Sequence, residues 1–407
     1  MSSSSSLRMT AAERRASGWL AGLFALRMLG LFLILPVFAL HARSLPSGEQ
    51  LGWVGLAIGI YGLTQAMLQI PLGWASDRYG RKPVITAGLL VFAAGSFVAA
   101  AADSLLLVTI GRALQGAGAI SAAITALIAD STRDEVRTKA MAMVGGSISL
   151  SFALSLTLAP WLYAQIGMAG LFTLTGLLAV AGCAVVWKLV PDVPAAPRAR
   201  DRASWHQVLL HAELARLSGG VFLLHTVQMA MFVVIPIALV EHAQLPVQRH
   251  GWVYLGVVLA SLAVMLPVMF WSERRQRVRT VFLAAIGLLA LTQVALAWGY
   301  AEPAMLVALL VCFFIGFNLL EATLPSLVSR VAPPAAKGLS LGVFNTCQSL
   351  GLFAGGLIGG KLAAMWGYDG VFKVCALLCV AWLVLAWPMR PPARQRVVAE
   401  AADPSSA

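Results

Sequence analysis

Glu321 is the only one of 17 acidic residues that lies well inside an apolar stretch of this 407-residue chain. A charge there costs about 2.5–3.5 kcal/mol on insertion scales, so the side chain should face the interior or a wet cavity. Desolvation favours the neutral carboxyl, which suits a proton acceptor. Asn318, three residues earlier, shares its helical face. His225 and Arg27 fall at similar depths, each eight or nine residues from one edge of its stretch, or roughly 12 Å. A glutamate, an imidazole and a guanidinium at one level form either a proton relay or a static buried network that fixes packing. Tyr61, Gln65 and Gln69 step by four along one helical face, and Asn345 and Gln348 share another. Such groups either line a polar substrate cavity or glue helices together. Ser147, Ser151 and Ser155 form a stripe of small residues better suited to packing than to binding.

The elements that must hold these residues are legible from composition. Hydrophobic residues make up 59% of the chain and charged residues 11%, against about 25% charged in a soluble domain. Apolar runs of about 20 residues recur throughout, each long enough to cross a bilayer core. Twelve are expected: 18–40, 52–74, 83–102, 104–129, 139–163, 168–190, 217–241, 252–271, 280–300, 303–330, 338–366 and 370–390. The expected fold is an all-α polytopic membrane protein, and these stretches require no metal or organic cofactor. Its five cysteines lie within spans, lack metal-ligand spacing and read as small packing residues.

The net charge of +12 follows membrane topology. With the N-terminus inside, cytoplasmic segments hold 23 of the 29 Lys and Arg residues, the opposite side has Arg43, Arg249, Lys361 and Lys373, and Arg27 and Arg112 sit within spans. This positive-inside bias places both termini in the cytoplasm and leaves no need for a nucleic-acid partner. The first span is too long for a signal-peptide core and has no small-residue cleavage site after it.

A Pro- and Arg-rich segment at 191–216 divides the spans into six and six. The expected organisation is a cytoplasmic tail at 1–17, a six-helix bundle at 18–190, a linker at 191–216, a second bundle at 217–390 and a tail at 391–407. The halves repeat one plan. "GWV" at Gly52 recurs at Gly251, and Pro71 before "SDR" matches Pro267 before "SER". "TKA" at Thr138 aligns with "AKG" at Ala336, and Arg27 with His225, all at offsets near 198 residues. Two pseudo-symmetric six-helix bundles with a site between them are the layout of a rocker-type transporter.

The stretch "GWASDRYGRKPV" (73–84) breaks the apolar pattern with one acid and three bases. Gly80 permits the tight turn between two antiparallel spans. Arg78, Arg81 and Lys82 mark the cytoplasmic side. Asp77 either contributes only to topology or seeks a cation or a helix N-terminus, and the start of the eleventh span near Gly338 lies on the same side.

Gly73, Asp77, Arg78, Gly80, Arg81 and Lys82 resemble the signature loop of the major facilitator superfamily. "GRALQGAGA" (111–119) resembles the fourth-helix motif of its proton-coupled members. "LRMLGLFLILPV", "IGIYGLTQAMLQIPLG" and "FNLLEATLPSL" are similar to a YajR-type subgroup of inner-membrane, efflux-like transporters. The resemblance covers nearly the whole chain. It implies that Asp77 docks on the eleventh helix as a gating latch and that Arg81 pairs with Asp130, and the repeat adds a weaker mirror contact of Glu273 with the start of the fifth helix near Lys139. The resemblance also implies a proton-coupling role for Arg112, against the alternative of an arginine satisfied by carbonyls that orders the first half. Two departures stand out. YajR-type proteins carry a soluble domain after the last helix, whereas a short tail follows Arg390 here. The Gly-Pro that closes the fifth helix of drug/proton antiporters is replaced by Ala159–Pro160.

The expected function is therefore secondary active transport by alternating access in the inner membrane: proton-coupled efflux of a small amphiphilic compound, energised by the proton gradient, by a monomer embedded in lipid. The alternatives are an importer or facilitator of a sugar, metabolite or organic ion and, remotely, a membrane receptor or enzyme.

Overall fold

The computed structural model describes residues 9–192, 208–333 and 336–389. The tails at 1–8 and 390–407 and most of the linker, with Arg8, Arg198, Arg200, Arg202, Arg390, Arg394 and Arg396, lie outside the described residues. The described chain is helical: α1 Ala11–Phe32, α2 Leu35–Ala42, α3 Leu51–Tyr79, α4 Arg81–Ala100, α5 Leu105–Ala117 and α6 Ser121–Asp130. They are followed by α7 Asp134–Lys188, α8 Ala212–Glu241, α9 Val247–Arg274, α10 Val278–Gly299, α11 Pro303–Val331 and α12 Lys337–Ala386.

Where twelve spans are expected, ten helical segments among the described residues are long and apolar enough to cross a membrane. The difference lies in α7 and α12, each of which runs through two expected spans. Each is two helices joined at a glycine: Gly167 (φ 65°, ψ −175°) and Gly367 (φ 73°, ψ −174°). This backbone region favours glycine strongly, and the two glycines occupy matching places in their halves. Large apolar residues such as Leu291, Leu377 and Val384 are exposed on the outside, as a hydrocarbon solvent requires.

Two helices of the first half are interrupted. The α1/α2 junction precedes Pro36, whose ring clashes with the carbonyl four residues back and which donates no hydrogen bond. The α5/α6 junction passes Gly118, where a β-carbon would lie 2.4 Å from the Gly88 carbonyl oxygen. The corresponding helices of the second half, α8 and α11, are continuous, although α8 contains Pro236.

Serine hydroxyls tie α7 to α1. Ser147, Ser151 and Ser155 donate to the carbonyls of Ala21, Ala25 and Leu29 at 3.0, 3.0 and 3.4 Å. One buried apolar cluster (Leu20, Leu89, Phe92, Ile124) belongs to the first half alone. Another joins Phe38, Val54 and Leu156 to Leu224, Val234 and Phe317 of the second half.

Candidate functional site

The halves meet most closely where α12 packs on α3. A β-carbon at Gly55 would lie 2.1 Å from the Gly356 carbonyl oxygen, and one at Gly62 would lie 2.4 Å from that of Ser349. Another face of α12 does the same to α8, with Gly351 against Phe222 and Gly355 against Thr226. Small residues allow such backbone-to-backbone contact. Beside this seam, Phe152 of α7 touches Phe232, Phe314 and Phe317 at centroid distances of 6.4, 6.0 and 5.9 Å.

At one end of the molecule a polar contact bridges the halves, Arg43 to Glu241, and Tyr368 of the second half holds the other carboxylate oxygen. Arg43 Nη1 lies 2.5 Å from Glu241 Oε1, and the Tyr368 hydroxyl donates to Glu241 Oε2 at 2.9 Å. Burial works against the Arg43 charge, but the Glu241 carboxylate and the Tyr368 hydroxyl outweigh it and raise the pKa. At the other end, several pairs each stay within one half. Arg81 Nε donates to Asp130 Oδ2 at 2.9 Å and Arg133 Nε to Glu13 Oε1 at 2.8 Å. Arg330 Nη2 lies 3.4 Å from Glu273 Oε1.

The loop motif gathers as a compact cluster. Gly80 (φ 96°) separates α3 from α4. Arg81 pairs with Asp77 at 2.5 Å as well as with Asp130, and also donates to Ser76. Lys82 pairs with Asp192 at 2.6 Å, Arg78 stacks over Trp74 and Tyr79, and Gly73 packs against Ala122. Glu273 pairs with Arg330 rather than with Lys139 at the start of α7. Arg330, at the end of α11 of the same half, offers Glu273 a nearby cation.

The second half brings Glu321, His225 and Gln348 together. His225 Nδ1 donates to the Val221 carbonyl at 3.0 Å. Its Nε2 lies 2.8 Å from Gln348 Nε2 and 3.5 Å from Glu321 Oε2, and Gln348 Nε2 donates to Glu321 Oε1 at 3.3 Å. The Glu321 side chain is 29% exposed, the His225 side chain 6%. Asn318 donates to Ser261 at 3.0 Å, and Asn345 is half-buried.

Arg27 lies apart from this cluster. It is 1% exposed and donates to Ser121 (2.8 Å) and Gln65 (3.1 Å), not to Glu321. Arg112, also 1% exposed, donates to Gln115 (2.9 Å) and the Ile58 carbonyl (3.4 Å) and lies over the Tyr61 ring. Tyr61 and Gln69 are each 1% exposed, so neither lines an open cavity, and Tyr61 belongs to the apolar cluster of the first half. Gln65 instead crosses the seam, donating to Ser349 at 3.0 Å. The reason is that the Gly55, Gly59 and Gly62 face of α3 turns toward α12, which leaves Ile58 and Tyr61 facing the bundle core.

Residues missed from sequence are Arg43, Glu241 and Tyr368. One signal pointed to them: Arg43 and Glu241 are 198 residues apart, the offset of the internal repeat, and carry opposite charges.

The profile of the Major Facilitator Superfamily matches residues 20–217 and 217–406. The chain is 40% identical over 389 residues to the inner membrane transport protein YajR of Escherichia coli (strain K12), covering 95% of this chain and 85% of that one. It is 28% identical over 368 residues to the multidrug resistance protein MdtH of Aeromonas hydrophila, covering 87% and 89%. The crystal structure of a bacterial homologue of the human lysosomal transporter Spinster, inward-facing and occupied, superposes with a TM-score of 0.73 at 12% identity, covering 93% and 97%. That likeness shows the fold alone.

Proposed function

The chain belongs to the major facilitator superfamily, and on that premise we propose that it exports a small amphiphilic compound across the inner membrane in exchange for protons. Membership makes it a multi-pass membrane protein and a secondary transporter of a small molecule, not an enzyme. The finer reading takes α7 and α12 as two crossings each, giving twelve in two six-helix bundles, with both termini in the cytoplasm.

Alternating access explains the unequal ends. The Arg43–Glu241–Tyr368 end joins the halves and is the external gate, closed here. At the cytoplasmic end the Arg81–Asp130 and Arg330–Glu273 pairs each brace one half. Asp77 and its loop would latch that end in the opposite state. The observation that carries proton coupling is the Glu321–His225 pair, a carboxylate and an imidazole 3.5 Å apart with the carboxylate partly exposed. Both groups exchange protons, and a carboxylate placed among spans marks an ion pathway. The aromatic group around Phe152 offers apolar surface to an amphiphile.

Everted vesicles containing the protein, screened with candidate amphiphiles while internal pH is followed, test this. Substrate-driven proton movement that disappears in Glu321→Gln is the expected result. Flux indifferent to pH would identify a facilitator and remove the proton role.

A further inference from the structure

Two consecutive residues of α12 serve two different partners. Gln348 Nε2 spans the gap between His225 Nε2 (2.8 Å) and Glu321 Oε1 (3.3 Å). Ser349 Oγ accepts from Gln65 Nε2 of the other half at 3.0 Å, and Gln65 Oε1 accepts from Arg27 at 3.1 Å. One peptide unit therefore separates the ionisable pair from a hydrogen bond that crosses the seam.

The partners fix the protonation pattern. A carbonyl only accepts, so the His225 nitrogen facing Val221 carries hydrogen, and the neutral ring presents Nε2 as an acceptor. Gln348 fills that acceptor and the carboxylate with the two hydrogens of its amide nitrogen. A proton arriving at His225 Nε2 or at the Glu321 oxygen facing the amide turns an acceptor into a donor. The amide nitrogen can no longer donate there and must turn or withdraw.

We propose that Gln348 is a positioning residue that locks the empty, deprotonated transporter with its external gate closed and releases the lock when the Glu321–His225 pair takes up a proton. The release passes through Ser349 to Gln65, whose bond across the seam loosens as α12 shifts. This deepens the proton-coupled reading and rests on it. An exchanger requires such a lock, because an empty carrier that changes state freely lets its two gradients run down separately. Along the helices of the pair and of Gln348 the other charged groups are Glu213, Arg216 and Glu241 on α8, Arg330 on α11, and Lys337, Lys361, Asp369 and Lys373 on α12, while Cys312 lies on α11. Cys347 lies on α12 and Tyr61 on α3, and Arg27 of α1 is held by Ser121 and Gln65 and does not touch the pair. α7 contributes Phe152, packed on Phe317 beside His225.

Hydrogen–deuterium exchange of the full-length protein in lipid nanodiscs, followed in residues 43–50 and 242–247 after correction for intrinsic rates, tests the lock. Wild type should exchange about threefold faster at about pH 5.5 than at about pH 8. Gln348→Met should exchange fast at both, with the pH dependence flattened. Ser349→Ala, which keeps the pair and cuts the link, should also flatten the profile and serves if Gln348→Met does not fold. Glu321→Gln, fixed in the neutral form, should resemble acidified wild type. A Gln348→Met or Ser349→Ala profile that keeps the wild-type difference between the two pH values, even if shifted, would overturn the lock. Wild type with no pH dependence would instead overturn the proton-coupled reading beneath it.

Discussion

At matching places 198 residues apart, the first half buries Arg27 and the second His225, and the surroundings of the two differ accordingly. Arg27 and Arg112 hold permanent charge at 1% exposure, and their hydrogen bonds run to hydroxyl, amide and carbonyl groups. A guanidinium stays protonated throughout the physiological range, so it can shape a field but does not hand a proton on. The second half places an imidazole and a partly exposed carboxylate side by side, both able to take up and release protons. On the proposed reading, one fold copied twice divides its polar interior into a fixed part and a proton-exchanging part. The backbone follows the same division: the helices that carry Arg27 and Arg112 are interrupted nearby, and their counterparts α8 and α11 run unbroken.

If this division is correct, changes on the titrating side alter coupling, and changes on the fixed side alter stability. The largest effect expected is from Glu321→Gln, which should abolish pH-driven flux in vesicles while the protein still inserts. Arg27→Met should cost about 1–3 kcal/mol in thermal unfolding, because Gln65 and Ser121 lose a buried partner. The pH dependence of transport should remain. Loss of that dependence in Arg27→Met would break the comparison by moving the arginine into the proton path. Gly356→Ala should destabilise the closed external gate by about 1–3 kcal/mol through overpacking, since its β-carbon would lie 2.5 Å from the Gly55 carbonyl oxygen. Faster exchange at residues 43–50 would report this, with Gly146→Ala, which meets open space, as the control. Arg43→Glu should weaken the same gate by about 0.2–1 kcal/mol, as expected of an exposed pair. The double swap with Glu241→Arg should restore it. Smallest of all, Arg330→Ala should change unfolding by less than about 0.5 kcal/mol, because the Arg330–Glu273 pair is exposed on both sides.

Much of this plan was legible in the chain. The apolar runs marked a multi-span membrane protein, of which ten long apolar helices are counted among the described residues, and similar depth grouped Glu321 with His225, which lies 3.5 Å from it. What escaped depends on rotation about a helix axis. Tyr61, Gln65 and Gln69 share a face by spacing, but spacing does not say whether that face meets the seam or the bundle core. The glycines at 55, 59 and 62 decided this by bringing their own face to α12. Depth alone likewise grouped Arg27 with Glu321, because equal depth in two bundles says nothing about lateral distance. Charge reversal between the copies, seen at Arg43/Glu241, is invisible to a repeat sought through identity and plain when opposites are sought at the same offset.

The two glycine faces of α12 have one more consequence. Where side chains interdigitate, two surfaces can part only after rotamers unmesh, and that resistance slows the motion. Along α3 and α12 the contact is nearly bare backbone on bare backbone, so there are few teeth to disengage. Gly351, Gly355 and Gly359 bring the same helix as close to α8 of its own half. On the proposed reading the bare contact between α3 and α12 makes the seam a low-friction bearing, whose two surfaces part without unmeshing large side chains.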